Sequence, residues 1–312
     1  MSSLSVVPDL GLAHVHSGKV RDLFDAGQGR LLMVASDRLS AFDVVMNEAV
    51  PNKGRVLTAM SAYWFSELSG IIGNHLISTS LESLPASAQL PELAGRIMLC
   101  TRAEMLPIEC IVRGFVAGSA WKEYSKYGTI HSMAVPSGLL EADQLSAPMF
   151  TPSTKASVGD HDENISFDAA VQLVGGDLAE QARSVSLQMY SAAAAKASAA
   201  GFILADTKFE LGLIDDGDGN KQLVVGDEVL TPDSSRFWLH EDWVPGATPQ
   251  GFDKQPVRDF LETLSWNKTP PPPSLPEEVV QATAHRYRQA YERICGLRLD
   301  DWPGVTGLIP AV

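Results

Sequence analysis

Cysteine is scarce: Cys100, Cys110 and Cys295 are the only three in 312 residues, and none falls in a Cys-x-x-Cys spacing. An odd count without paired spacing excludes a zinc ribbon and argues against a disulfide framework. All three read as buried thiols of a reducing compartment. Long apolar runs are missing too. No window approaches the ~18 consecutive apolar residues of a membrane span, and the start of the chain lacks a basic segment followed by an apolar one. The expectation is a cytoplasmic protein with no membrane partner. Basic residues are in deficit, 24 Lys and Arg against 38 Asp and Glu, for a formal net charge of -14. Such a surface does not bind nucleic acid without regard to sequence, and no aromatic residues interleave with a basic patch. A local cluster of Arg and Lys can still hold a phosphate.

What is present is a globular composition, 45% hydrophobic, in a chain long enough for about two domains. The first hundred residues are strand-rich. Residues 14–24 read as extended, 25–29 as turn chemistry and 30–35 as an apolar strand, together a hairpin. Leu57, Met60, Trp64 and Leu68 recur at helical spacing, which predicts a helix over 57–68. Residues 96–100 and 109–112 predict further strands. From Ser166 the pattern turns helical, with a long Ala-rich helix over 177–200 that Gly201 stops. A strand (202–213), a polar turn (215–220) and another strand (222–225) predict a second hairpin. Four prolines at 270–273 make a stiff connector. A last helix runs over 277–295, opened by Pro276 and two Glu and closed by Gly296. The fold class is α+β, with a strand-rich lobe over 1–108, a larger α+β lobe over 109–312, and a cleft between them as the natural site.

The strongest chemical signal is the segment Gly201-Phe-Ile-Leu-Ala-Asp-Thr-Lys-Phe-Glu-Leu-Gly212. Its apolar first half suits a buried strand; then Asp206, Lys208 and Glu210 fall on one face and Thr207, Phe209 and Leu211 on the other. Alone, such a triplet is as readily a surface salt-bridge ladder. The next strand, however, ends in Gly226-Asp227-Glu228, so a hairpin brings Asp227 close to Glu210. Two carboxylates on paired strands suit Mg²⁺, which completes its shell with water and phosphate oxygens. Asp216, Asp218 and Asn220 mimic calcium-loop spacing, but Lys221 stands at position six and Asp227 at position twelve. They read as a hairpin turn.

A second signal is the apolar strand that delivers Arg113 into the loop Gly114-Phe-Val-Ala-Gly-Ser119. Arg binds phosphate bidentately, and a Gly-Ser turn lets backbone N–H groups approach an anion. A third is Ser17-Gly-Lys-Val-Arg-Asp22, which is no Walker A loop. Lys19 and Arg21 alternate beside a glycine, which suits covering the phosphates of ATP and equally suits a solvated edge strand. Polar loops at 36–43, 151–155, 159–164 and 232–236 are each ordinary capped turns by default; their number is the signal.

These segments resemble the SAICAR synthetase family over almost the whole chain. Leu106-Pro-Ile-Glu-Cys-Ile-Val-Arg113 with Ala117-Gly-Ser119 matches one family signature. Leu204-Ala-Asp-Thr-Lys-Phe-Glu-Leu-Gly212 matches the other, with Leu211 where Phe or Ile is usual. Residues 17–22, 36–43, 51–54, 150–155 and 159–166 are similar to the longer, fungal- and actinobacterial-like branch. Pro256 stands where an aromatic residue is expected, and no role is carried over to 253–258.

The resemblance implies a two-lobe fold whose N-terminal antiparallel lobe is like a kinase small lobe, with ATP in the cleft. It implies ligation of L-aspartate to the carboxylate of carboxyaminoimidazole ribonucleotide (CAIR), with ATP giving ADP and phosphate, by a monomer. On this reading Glu210 and Asp227 hold Mg²⁺, and Lys19 and Arg21 take the ATP phosphates. Met105 and Glu109 border adenine and ribose. Arg113 and Ser119, with Ser235 and Arg236, hold the ribonucleotide phosphate or the aspartate carboxylates, and Asp233 is a further substrate-binding residue. Lys208 neutralises the carboxylate under attack, while Asp37 and Asp206 contact or support substrate. A kinase would need His-Arg-Asp and Asp-Phe-Gly, and the chain has neither. A nucleotide sensor would tolerate loss of the acidic and basic groups, which are all intact.

Overall fold

The computed structural model describes residues 3–155 and 163–304. Its first part holds strands β1 (Ala13–Ser17), β2 (Arg21–Gly27), β3 (Arg30–Ala35), β4 (Arg38–Ala41) and β5 (Val44–Ala49). Helix α1 (Lys53–Glu67) and strands β6 (Gly73–Asn74), β7 (Leu76–Ser78) and β8 (Ile97–Thr101) follow. The middle comprises β9 (Glu104–Met105), β10 (Ile108–Phe115), α2 (Ser119–Tyr127), β11 (Thr129–Ile130), β12 (Met133–Ala134), β13 (Gln144–Phe150) and β14 (Ser153–Thr154). The last part comprises α3 (Phe167–Val174), α4 (Gly176–Ala199), β15 (Phe202–Asp215), β16 (Lys221–Gly226), β17 (Ser235–Leu239), α5 (Gln255–Glu262) and α6 (Glu277–Cys295). The α+β class read from the sequence holds, and no described helix is long and apolar enough to cross a membrane.

The chain packs as two units that are not continuous in sequence. Met1–Tyr63, His75–Arg102 and Phe252–Val312 form one; Trp64–Asn74 and Ala103–Gly251 form the other. A division at residue 108 places α6 with the second lobe, whereas packing groups it with the first. One long-range link within the first unit is Lys53: it is fully buried, and its ammonium lies 5.3 Å from the ring centroid of Tyr287 on the buried face of α6.

In the first unit an antiparallel sheet runs in the order β1-β2-β3-β8-β7. Alternation sends Leu32, Val34, Ile97 and Leu99 to one face, where they pack with Phe24, Leu84 and Leu93. The stretch 14–24, read as one extended segment, is two strands. Gly18 N–H donates to the Arg21 carbonyl at 2.7 Å and turns the chain, so Lys19 lies in that turn rather than beside Arg21 on a strand. Arg38 moulds the turn by donating to the carbonyls of Gly18 (3.2 Å) and Lys19 (3.0 Å) and to Asp22 (3.0 Å). Lys19 itself is exposed and pairs with Asp43 at 2.6 Å.

Asp37, expected at the substrate, is completely enclosed. One of its oxygens accepts from Arg96 (2.9 Å) and from the Gly54 N–H (2.9 Å); the other accepts from Arg96 (3.1 Å) and from the Leu4 N–H (2.8 Å). With both oxygens occupied it cannot reach a ligand. It pins the N-terminal segment, the start of α1 and β8 together instead. Gly54 is required there, because an added Cβ would lie 2.3 Å from the Ala35 carbonyl oxygen. Removing one partner of a fully buried ion pair costs roughly 3–5 kcal/mol. Arg96→Met is expected to lower the urea midpoint by that equivalent, and an unchanged midpoint would contradict the assignment.

In the second unit β15 is the central strand. Its first half pairs with β10 and β17 and its second half with β16 and β9, all antiparallel. Helix α4 lies along this sheet through a stripe of small residues, Ala179, Ala182, Ser186, Ala193 and Ala197, with Met189 and Tyr190. The hairpin predicted at 202–225 is present, and Asp216 stabilises its turn by accepting the N–H groups of Asp218 (2.9 Å) and Asn220 (3.1 Å). All three cysteines are buried and none forms a disulfide.

Candidate active site

Register builds the site. Asp206 on β15 stands directly opposite Arg113 on β10 and Arg236 on β17. One row of three strands therefore reads Arg–Asp–Arg, with the Asp206 carboxylate 3.3 Å from Arg113 and 3.2 Å from Arg236. Arg113 also donates to the hydroxyls of Ser119 (3.0 Å) and Thr151 (3.1 Å). Burial draws the Arg113 pKa down, Asp206 pulls it back, and Arg236 lowers it again; a guanidinium stays charged regardless. The Arg236 guanidinium lies over Gly118, where a Cβ would sit 2.7 Å from its nitrogens. Gly118 precedes α2 and has a positive φ of 57°. Two cations thus converge beside the N-terminus of a helix, a place that favours anions.

Four residues along β15, about 13 Å at strand rise, the same face carries acid. Lys208 donates to Glu109 at 2.5 Å and to Glu210 at 3.4 Å, and Lys155 reaches Glu210 at 2.5 Å. Burial would depress the Lys208 ammonium, but Glu210, Glu109 and Asp227 outweigh it and hold its pKa above the usual lysine range. Lys208 is a fixed cation and not a nucleophile. Glu210 pairs with Gly226, so Asp227 follows at the end of β16 as the hairpin argument expected. Asp227 adopts a positive φ of 54°, a conformation costly for a non-glycine residue and one that clusters at functional sites.

The remaining sequence-predicted residues separate. Glu109 sits at Lys208, opposite the metal-type carboxylate, because it shares the Arg113 face of β10. Ser235 points the other way. It pairs with Thr207, is buried, and its hydroxyl lies 2.7 Å from Thr207 Oγ1. Strand alternation puts Ser235 and Arg236 on opposite faces, so Ser235 supports the sheet and does not face the Arg–Asp–Arg row. Asp233 lies in the turn before β17, whose Ser234 carbonyl accepts the Lys208 N–H at 2.9 Å. Met105 pairs with Gly212, where a Cβ would meet its sulfur at 2.8 Å. Lys19, Arg21 and Asp37 belong to the other unit. Sequence reasoning assigned no role to Thr151, Lys155 or Arg38, although it singled out the loops that carry them. His161 and Asp162 of the loop at 159–164 lie outside the described residues. Ser166 itself caps α3, its hydroxyl accepting the Ala169 N–H.

The model of the SAICAR synthetase family matches residues 14–273. The chain belongs to the SAICAR synthetase family. It is 51% identical over 291 residues to the phosphoribosylaminoimidazole-succinocarboxamide synthase of Geobacter sulfurreducens, covering 93% of this chain and 96% of that one. To the enzyme of the same description from Chromobacterium violaceum it is 49% identical over 285 residues, covering 91% and 99%. Among solved structures it resembles the SAICAR synthase of Saccharomyces cerevisiae complexed with SAICAR, at 39% identity and a TM-score of 0.87, covering 95% and 99%. The two signatures that carry the SAICAR synthetase resemblance are the ones that form β10 with its Gly-Ser loop and the charged half of β15.

One buried group of this unit had no signal in the sequence. His131 is 4% exposed, with its ring against the backbone of Pro152 and Ile165. It sits in the β11–β12 turn with positive φ at His131 and Ser132, where Glu123 accepts both N–H groups, at 3.0 and 2.9 Å. Burial, then the Arg113 charge, push its pKa down from 6.5 to about 4. Between those values the unfolded chain binds a proton that the folded chain refuses. Stability is therefore full above pH 6.5 and falls as pH drops towards about 4. Replacing the imidazole in His131→Gln should flatten that limb of urea midpoint against pH. If the limb keeps its slope, His131 does not cause it.

Proposed function

We propose that this chain ligates L-aspartate to the carboxylate of CAIR with ATP, giving SAICAR, ADP and phosphate in purine synthesis, as a cytoplasmic enzyme. Family membership and relatives bearing that description support the reading, as does the SAICAR held by the yeast relative. The observation that carries it is the charge pattern along one face in the middle of β15, an Arg–Asp–Arg row at Asp206 and a carboxylate cluster around Lys208 two residues on.

The chemistry needs both clusters. A carboxylate is a poor electrophile, so the γ-phosphoryl group of ATP first passes to a CAIR carboxylate oxygen, giving an acyl phosphate and ADP. The aspartate amine then attacks the acyl carbon, the C–N bond forms, a proton leaves nitrogen, and phosphate departs with the former carboxylate oxygen. Such transfer is mostly positioning and charge neutralisation. Arg113 and Arg236, with Ser119 and the helix N-terminus, bind the substrate phosphate or the aspartate carboxylates. Asp206 fixes both guanidinium groups. Lys208 offsets the negative charge at the reacting carboxylate. Lys19 and Arg21 take the ATP phosphates, and Met105 borders the base.

Mg²⁺ is fitted by the donor set. Glu210 and Asp227, with Glu109 beside them, supply hard carboxylate oxygens. Among the described residues no group of three or more His, Cys, Asp or Glu side chains that could hold a metal ion is present. Held there, Mg²⁺ would neutralise charge on the transferring phosphoryl group. Until then Lys155 and Lys208 balance the carboxylates.

An ADP-release assay with Mg·ATP, CAIR and L-aspartate, each omitted in turn, tests the reaction. ADP formation is expected to need both co-substrates, and turnover indifferent to aspartate would sink the ligase reading. Within that assay Lys208→Ala should fold normally and lose most turnover. Glu210→Gln should raise the Mg²⁺ needed for half-maximal rate by about tenfold or more; near-wild-type behaviour of both variants would displace the site from this strand.

A further inference from the structure

The Arg–Asp–Arg row depends on an irregularity in β15. Against β17, Leu204 pairs with Phe237 but Asp206 pairs with Arg236, so Ala205 is an extra residue and the register slips by one. Bulges of this kind re-aim side chains. Without the slip, Asp206 would face the position before Arg236, and alternation would send its neighbour to the opposite face.

One side chain bridges the broken ladder. Tyr190 of α4 is 3% exposed, and its hydroxyl donates to the Leu204 carbonyl at 2.6 Å. The same hydroxyl is wedged against Gly114, the residue after Arg113; a Cβ on Gly114 would lie 1.9 Å from Tyr190 Oη and 2.8 Å from Cζ. One oxygen therefore touches β15 immediately before the bulge and β10 immediately after Arg113. Burial and the Asp206 charge hold the phenol above its ordinary pKa, so it remains a donor.

We propose that Tyr190 is a positioning residue for the anion subsite: by bonding the Leu204 carbonyl against Gly114 it locks the Ala205 bulge and so aims Asp206 between Arg113 and Arg236. The inference rests on the reading of that row as the anion subsite. It gives a reason for glycine after Arg113, where β10 shifts register against β13, because a Cβ there would collide with the hydroxyl. It also assigns a role to a buried hydroxyl outside the reacting groups.

The test is Tyr190→Phe, which removes one oxygen and keeps the ring, with Arg113→Met as reference. Michaelis constants are measured for ATP, CAIR and aspartate, alongside kcat and Tm. The expectation is that both variants raise the constant of the same anionic co-substrate. For Tyr190→Phe the rise is on the order of tenfold, with the ATP constant nearly unchanged and Tm lowered only by the few degrees that one buried hydrogen bond accounts for. A shift in Arg113→Met but none in Tyr190→Phe overturns the inference and leaves the anion subsite standing. No shift in either overturns both. A uniform loss in all constants together with a large fall in Tm makes Tyr190 merely structural and also overturns it. Gly114→Ala adds a steric check, because it drives a Cβ into the hydroxyl. It should raise the same constant, and combining it with Tyr190→Phe should recover part of the loss; additive losses would count against the contact.

Discussion

Everything at this site depends on the register of β15. The side-chain period of a strand is two, so a slip of one residue against β10 would carry Asp206, Lys208 and Glu210 into the core and bring Thr207, Phe209 and Leu211 out. The register is fixed from below by burial: Thr207, Phe209 and Leu211 are all almost inaccessible, and Phe209 sits opposite Cys110. Three apolar or satisfied positions thus specify where three charges stand. The β17 ladder adds the second arginine, at the cost of one bulge.

Charge at the site is balanced internally. Lys208 is gripped by two carboxylates and Glu210 by two ammonium groups, while Asp206 divides itself between two guanidinium groups. Buried charges persist only when paired in this way. The same pairs mean that binding an anion or a cation exchanges one partner for another and does not bury a bare charge. A chain of net charge -14 can therefore still present two guanidinium groups to an anionic substrate.

Local features were legible in the sequence. The helices over 176–199 and 277–295, the hairpin from 202 to 226 and the single charged face of β15 all follow from periodicity, caps and turns. So does the approach of Asp227 to Glu210, since a hairpin is a local contact. Long-range pairings were not legible. Nothing in Ser36-Asp37-Arg38 indicates that Asp37 is closed off by Arg96, nearly sixty residues away, and a polar loop and a buried ion pair look alike in one dimension. Ser235 and Arg236 read as one hydroxyl-and-arginine loop, yet a strand begins at Ser235 and splits them between faces. The grouping of α6 with the first unit includes the contact of Lys53 with Tyr287, which no local pattern links. The family resemblance supplied the reaction; the residues alone supplied a metal-and-phosphate site.

The basic row at Asp206 and the carboxylate cluster at Lys208 together serve to activate a carboxylate by phosphorylation before nitrogen attacks it. Positional isotope transfer tests this directly. With CAIR carrying ¹⁸O in its carboxylate, turnover with ATP and L-aspartate is predicted to release inorganic phosphate bearing one ¹⁸O atom per SAICAR formed. Phosphate free of ¹⁸O, with SAICAR still accumulating, would contradict the acyl-phosphate route.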